Sequence, residues 1–265
     1  MERNEIMQKG RTHMDVSNMV LLGSGAQADV YLMDGKAVKV FKPEYRNANP
    51  IMEADLQDKA HKKGLPVPAI YEVSTLDGRV TVVMEYLSGE TLGEAMLRDM
   101  GDLHRYMGIA VDLQILVHQA DGEGFPSQTQ KLKSNINENG HLQDGQKEKL
   151  LHQLQGLPTG DRLCHGDFHV HNLMQTEGGV RIIDWTEAVS GSVAADVCRT
   201  YLLYLLYQRE IAEVYLDLYC KKTGMPQEDA LSWLPVIAGA RLNENATKED
   251  VALLLSLVDH GKEGL

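Results

Sequence analysis

The sequence predicts an α+β chain in two parts: a β-rich N-terminal part with one helix, and a mainly α-helical C-terminal part interrupted by one hairpin. Three observations predict it. Up to residue 90, short apolar runs, some alternating with polar residues, are broken by Gly-containing turns, which is how half-buried strands read. From residue 91 the apolar positions recur at helical spacing, as at Leu103, Met107, Ala110, Val111 and Leu116. Inside the helical part, "LMQTEGGVRIID" (173–184) returns to strand, turn and strand. The change of character falls near Leu87 to Glu90, so the chain divides into 1–87 and 88–265.

The elements follow in order. "MVLLGSGAQADVYLM" (19–33) reads as strand, glycine turn, strand, and "KAVKVF" (36–41) as a third strand. A helix fits "PIMEADLQDKAHKKG" (50–64), with Pro50 near its start and Gly64 beyond its end. "AIYEVSTLDGRVTVVMEYL" (69–87) is two strands joined around Asp77-Gly78, a hairpin signal. Residues 91–120 read as one helix, 121–141 as a polar connection with Gly122, Gly124 and Pro126, and 143–157 as a second helix. The hairpin at 173–184 turns at Gly178-Gly179, and helical patterns then cover 193–222, 226–241 and 247–260.

The net charge of −12 argues against nucleic acid or anionic lipid as a partner, since both need a basic surface. Three widely spaced cysteines suggest neither a disulfide framework nor a CxxC zinc site. The N-terminus lacks the apolar run of a signal peptide. The most apolar later segment, "VAADVCRTYLLYLLY", is too short to span a bilayer and carries Asp196 and Arg199. A soluble cytoplasmic protein without membrane or nucleic-acid partners is expected, as a monomer or homodimer.

Two regions carry chemistry. In "GSGAQADVY" (23–31) the glycines let backbone approach a ligand, which suits covering a phosphate chain. A strand rather than a helix follows, so a dinucleotide fingerprint fits poorly, and no Gly-Lys-Ser/Thr is present for a P-loop. Lys39 lies between apolar residues of the next strand and needs a partner, for which Glu53 on the following helix is available. The second region is "LCHGDFHVHNLMQTEGGVRIIDW" (163–185). His165, Asp167, His169 and His171 alternate as in a His-ligated metal site, but no clear second ligand cluster completes one. Alternatively, Asp167 and Asn172 form D-x4-N, and the hairpin brings Asn172 near Asp184, oxygen ligands that suit Mg²⁺. Asp167 is then left to face a hydroxyl, which completes the requirements of phosphoryl transfer. A third reading makes Asp167 and Asn172 turn caps and Asp184 a strand end.

Taken together and in this order, "GSGAQADVY", "AVKVF", Glu53, "VMEYLSGETL", "CHGDFHVHNLM" and "RIIDW" resemble the aminoglycoside phosphotransferase and choline kinase family. Protein kinases usually carry Arg between the His and Asp and Phe-Gly after the metal Asp; here Gly166 and Trp185 take those places. The resemblance implies a bilobal protein-kinase-like fold and an ATP-dependent kinase, with GTP left open, that phosphorylates a hydroxyl of a small, possibly amine-bearing acceptor. It implies that Gly23, Ser24, Gly25 and Ala26, with Val30 beyond them, cover the nucleotide. Lys39 would bind the α- and β-phosphates, held by Glu53, and Glu85, Tyr86 and Leu87 would form the adenine hinge. Asp167 would be the catalytic base, Asn172 and Asp184 the Mg²⁺ ligands, His165 a support of the catalytic loop, and Asp196 its brace. Ala28 replaces the third glycine of the protein-kinase loop, and Thr186 stands where many relatives are acidic. The residues leave two alternatives: a kinase acting on a protein or protein-bound sugar, and a nucleotide-binding regulator without turnover. Glu213, Asp217, Glu244 and Asp259 are candidates to pair with an amine or to be solvated helix faces. Phe168, Trp185, Tyr201, Tyr204 and Trp233 are read as core.

Overall fold

A computed structural model describes residues 19–25, 27–42, 49–76, 78–244 and 247–264. The first strands and helix are β1 (Val20–Ser24), β2 (Ala28–Met33), β3 (Lys36–Phe41), α1 (Pro50–Lys62), β4 (Ile70–Leu76), β5 (Arg79–Glu85) and β6 (Gly89–Thr91). Helices α2 (Leu92–Arg98), α3 (Leu103–Gln119), α4 (Gln128–Asn137) and α5 (Asp144–Gly156) follow, then β7 (Arg162–Cys164), β8 (Leu173–Thr176), β9 (Gly179–Ile182) and β10 (Val189–Gly191). The chain continues through α6 (Val193–Tyr207), α7 (Arg209–Thr223), α8 (Gln227–Leu231), α9 (Leu234–Arg241) and α10 (Lys248–His260). It forms two compact units, Met1–Thr91 with Asn172–Thr186, and Leu92–His171 with Glu187–Leu265.

The first unit is built on an antiparallel sheet in the order β1-β2-β3-β5-β4. β2 and β3 are closed by Asp34 and Gly35, both at positive φ (48° and 74°), the geometry that matches the twist of a two-residue hairpin. The resulting register sets Val30 opposite Lys39. On β3 the two-residue period puts Val38 and Val40 on one face with Val83, and Phe41 on the other with Ala28, Val82 and Ala54 of α1. Val38 and Val40 are fully buried, each worth about 1.5–3 kcal/mol. Lys39 shares the period of Phe41, and its Nζ lies 5.0 Å from that ring. α1 starts where the Asn49 side chain accepts the Met52 N–H at 3.1 Å with Pro50 in the first turn, and Gly64 follows its end at φ 79°. A second sheet in the same unit runs β6-β8-β9.

The second unit is helical around α6, whose Ala195, Val197, Cys198, Tyr201, Leu202, Tyr204 and Leu205 are all buried. A helix buried nearly all round belongs at the centre of its layer; α6 packs on α7, α8 and α9. Phe168, Tyr201, Tyr204 and Trp233 fill the interior of this unit and Trp185 that of the first. Among the described residues no helix is long and apolar enough to cross a membrane. The three cysteines are free and buried.

Several helical segments divide differently from the sequence expectation. Residues 91–120 hold two helices, α2 and α3, separated by a 3-10 turn at Met100–Asp102 that the Asp99 side chain caps. The polar connection 121–141 contains α4, capped by Ser127 and burying Leu132 and Ile136. Residues 193–222 break at Gln208, whose extended backbone (φ −160°, ψ 122°) separates α6 from α7. Residues 226–241 break before Pro235, which sits in the first turn of α9. The hairpin β8–β9 turns at Glu177-Gly178, one residue earlier than expected, and Thr176 pairs with Gly179.

Candidate active site

One pocket with room for about 440 Å³ is lined entirely by the first unit. Lys39 and Glu53 line it and form a half-buried ion pair, which satisfies a lysine otherwise set among apolar strand residues. Val30, Glu85, Tyr86 and Leu87 line the same pocket, as do Asn172 and Asp184. The sequence did not single out Leu22, Ala37, Met84, Met174 and Ile183, which supply its apolar walls.

The glycine turn follows Leu22. Pairing of β1 with β2 slips between Leu21 and Gly23, and Gly25 donates its N–H to Ala28 O at 2.9 Å. Lys42 pins the turn by donating to Gly25 O (2.6 Å) and Ser24 Oγ (3.2 Å), while Ser24 donates to Asp29 (2.6 Å). Gly23 and Ser24 therefore end β1, opposite Val30 and Asp29, and Gly25 opens the held turn; Ala26 lies outside the described residues.

Glu85 ends β5. Its N–H donates to Ala69 O at 2.9 Å, and its carboxylate accepts from the Ala69 N–H (3.1 Å) and from Arg181 (2.5 Å). The Glu85 side chain is thus committed to holding the segment, while Tyr86 and Leu87 face the pocket. Arg181 also donates to Val67 O (3.3 Å), and Ile182 N–H to Pro66 O (2.8 Å), which docks β9 against residues 66–69. At the open end of the hairpin Ile183 N–H donates to Asn172 O at 2.9 Å, which brings Asn172 beside the segment that leaves β9 towards Asp184. Asp184 is held at φ 62° and accepts from Thr186 Oγ1 at 2.8 Å. A non-glycine residue in that region costs about 1–3 kcal/mol and concentrates at functional sites. The sequence pattern held no sign of Arg181 as the anchor.

Asp167 belongs to the second unit. Its backbone N–H donates to Nδ1 of the fully buried His165 at 3.3 Å, and the His165 ring stands edge-on to Phe168. His169 Nε2 lies 3.5 Å from the Asp167 carboxylate. Burial works against the charged form, but the His169 hydrogen bond and the charges of His169, Arg199 and His165 outweigh it and hold Asp167 well below the usual carboxylate range. Burial, with His169 adding to it, lowers His171.

Under the loop lies a buried polar network. Asp196 Oδ1 accepts the Gly166 N–H at 2.9 Å. Its Oδ2 accepts from Gln114 (3.1 Å) and contacts His118 Nε2 (3.0 Å), and His118 Nδ1 contacts Tyr219 Oη (2.7 Å). Burial opposes charge on Asp196, but His118, the Gly166 N–H and Gln114 prevail and lower its pKa. His118, Cys164 and Asp196 form the one group with metal-binding proximity among the described residues. Burial pushes the Cys164 thiol far up, and it contacts the Arg162 and Ser192 carbonyls, so the group is a hydrogen-bonded brace. His118 and Gln114 were hidden in the sequence because each sits on an otherwise apolar helix face.

The four acidic candidates all have protein partners: Glu213 with Tyr201, Asp217 with Lys221, Asp259 with Gln146, and Glu244 with Arg199 and Arg241.

The model of the phosphotransferase enzyme family matches residues 18–231. No curated protein matches the chain in sequence. Among solved structures, the choline kinase LicA from Streptococcus pneumoniae is similar at 15% identity and TM-score 0.64, with 93% of each chain covered. A thermostable mutant of aminoglycoside phosphotransferase APH(4)-Ia, solved with AMP-PNP and hygromycin B, is similar at 16% identity and TM-score 0.62, covering 94% of this chain and 90% of that one. The aminoglycoside-3'-phosphotransferase of type VIII gives 18% identity and TM-score 0.59, covering 88% and 93%. These likenesses share a kinase-like α+β fold, and the family match spans most of the chain. The chain belongs to the phosphotransferase enzyme family.

Proposed function

We propose that the protein transfers the γ-phosphoryl group of ATP to a hydroxyl of a small molecule. The observation that carries this reading is the single pocket lined by the Lys39–Glu53 ion pair together with Asn172 and Asp184. A phosphate chain needs a cation aimed at it, and a lysine held by a carboxylate is aimed. In this reading the turn from Gly23 to Gly25 covers the phosphates, and the backbone of Glu85 to Leu87 meets the base.

Asn172 and Asp184 fit a hard divalent cation, since both offer oxygen and face the space that Lys39 faces. Bound there, Mg²⁺ supplies charge neutralisation at the phosphate oxygens. Asp167 receives the acceptor's proton and orients its oxygen. Its lowered pKa keeps it ionised throughout the neutral range, so it is always ready to accept a hydrogen bond. Such a weak base contributes more by position than by proton affinity, as a loose transition state requires. The AMP-PNP and hygromycin B bound to the APH(4)-Ia structure support nucleotide and small-acceptor classes for this chain.

The test is a melting-temperature screen of AMP-PNP with Mg²⁺, then of hydroxylated metabolites and aminoglycosides added to it, followed by turnover with each ligand found. Stabilisation by AMP-PNP that is lost in Lys39→Ala is expected, since a ligand that binds only the folded state raises its stability by mass action. Absence of any nucleotide-dependent shift would sink the proposal. Binding without turnover on any acceptor would instead make the protein a regulator.

A further inference from the structure

We propose that the half-buried Arg199–Glu244 pair positions the catalytic loop by gripping the Gly166 carbonyl, one residue before Asp167. The inference rests on the reading of Asp167 above. The Gly166 peptide unit is held on both sides by one helix. Asp196 and Arg199 are three residues apart on α6 and so share a face. Asp196 takes the Gly166 N–H at 2.9 Å, and Arg199 Nε donates to the Gly166 carbonyl. With both groups tied, the plane of each flanking peptide bond is fixed, and the direction in which Asp167 leaves the backbone is fixed with it.

The arginine is itself locked. Its two terminal nitrogens donate to the two Glu244 oxygens, each at 2.9 Å, and Arg241 closes on the same carboxylate. The planar guanidinium can make this fork and still present Nε to the carbonyl; a lysine ammonium cannot do both. Glu244 comes from the turn after α9, so the loop is registered against a segment almost eighty residues downstream of it.

Stability alone does not account for the arrangement. An apolar pair of similar volume often stabilises a largely desolvated site as well as an ion pair does. What an apolar pair cannot supply is a directional bond to the carbonyl beside Asp167. Arg199 touches no reacting atom in this account; it is a positioning residue, and Glu244 positions it.

The experiment compares wild type with Glu244→Gln, Arg199→Lys and the double variant Arg199→Met/Glu244→Met, which removes the grip together with its carboxylate and leaves only the partly exposed Arg241 without that partner. Two readouts are taken: hydrogen exchange of peptides covering residues 163–170, and kcat and nucleotide KM on an acceptor from the screen or on water. In the double variant, exchange at 163–170 should rise about tenfold or more while β3 and β5 keep their protection. Its kcat should fall by about 10²-fold, the scale of a misplacement near 1 Å, with nucleotide KM unchanged. Arg199→Lys should fall between the two, and Glu244→Gln should loosen the loop less than the double variant. Unchanged exchange at 163–170 in the double variant overturns the proposal whatever the activity, and so does a kcat equal to wild type. If the wild type turns over on nothing, the phosphotransfer reading fails, and loop exchange still decides whether the pair grips the loop.

Discussion

Gly166 is held at φ 78°, and a Cβ on it would lie 2.4 Å from the Glu187 carbonyl oxygen. Replacing it with Ala should therefore strain both the backbone and the packing. A loss of about 2 kcal/mol or more is expected, read as a lower urea midpoint, with turnover falling further than stability because Asp167 is the next residue. A variant as stable and active as wild type would show that the loop has slack. At Asp167 itself, Asn keeps the shape and removes the proton acceptor. Turnover should fall by about 10²–10⁴-fold while nucleotide-dependent stabilisation persists. Full turnover in Asp167→Asn would remove it from the mechanism. Two of the three histidines of this stretch, conspicuous in the sequence, serve differently: His165 takes the Asp167 N–H, and His169 lies by its carboxylate.

The hairpin β8–β9 carries Asn172 and Asp184 at its open end and is docked through Arg181 to Glu85 and Val67. Hydrogen bonds to charged groups contribute about 1.5–3 kcal/mol, so Arg181→Ala should raise nucleotide KM about tenfold or more by loosening Glu85 and the hairpin together. A KM equal to wild type would show that the hairpin needs no such anchor. The strands of the N-terminal sheet and the β8–β9 hairpin were legible because alternation and turn residues are local, whereas β6, β7 and β10, three residues each, are too short to show either signal. Helix ends were also less legible. Nothing in "LLYQREI" marks Gln208 as a break, because the interruption is imposed by the packing of α6 against α7 rather than by a helix-breaking residue. The helix α4 was masked by its polar sequence, in which two buried apolar positions, Leu132 and Ile136, are enough once neighbours cover them.

In the second unit, Asp167, Asp196 and Glu244 are held below their usual range although burial opposes it. Asp167 is lowered chiefly by His169, Asp196 chiefly by His118, and Glu244 chiefly by Arg199 with Arg241. In the unfolded chain such groups titrate near pH 4, so below about pH 5 the unfolded state takes up protons that the folded state refuses. Stability from these groups is complete above that range and is lost as pH falls through the folded values. Urea midpoints should decline slightly below neutrality, where His171 protonates more readily in the unfolded chain, and drop steeply below about pH 4, and Asp196→Asn should flatten the steep drop. An unchanged slope in Asp196→Asn would mean the brace carries no charge in the folded protein.

The order of the glycine turn, Lys39, Glu53, Asp167, Asn172 and Asp184 is a property of the chain, and the sequence by itself determined the fold class and the candidate set from it. Pairing of Lys39 with Glu53 could be anticipated, because a strand lysine among apolar residues must be neutralised. Tertiary structure alone decided that Asn172 and Asp184 line the pocket of Lys39, that Arg181 holds their hairpin, and that Gly166 is gripped by Asp196 and Arg199. The physical reason is range. Turn and strand signals act between neighbours in sequence. The bonds of Arg181 and Arg199 join residues tens of positions apart, and no local pattern can distinguish such an arginine from a solvated one.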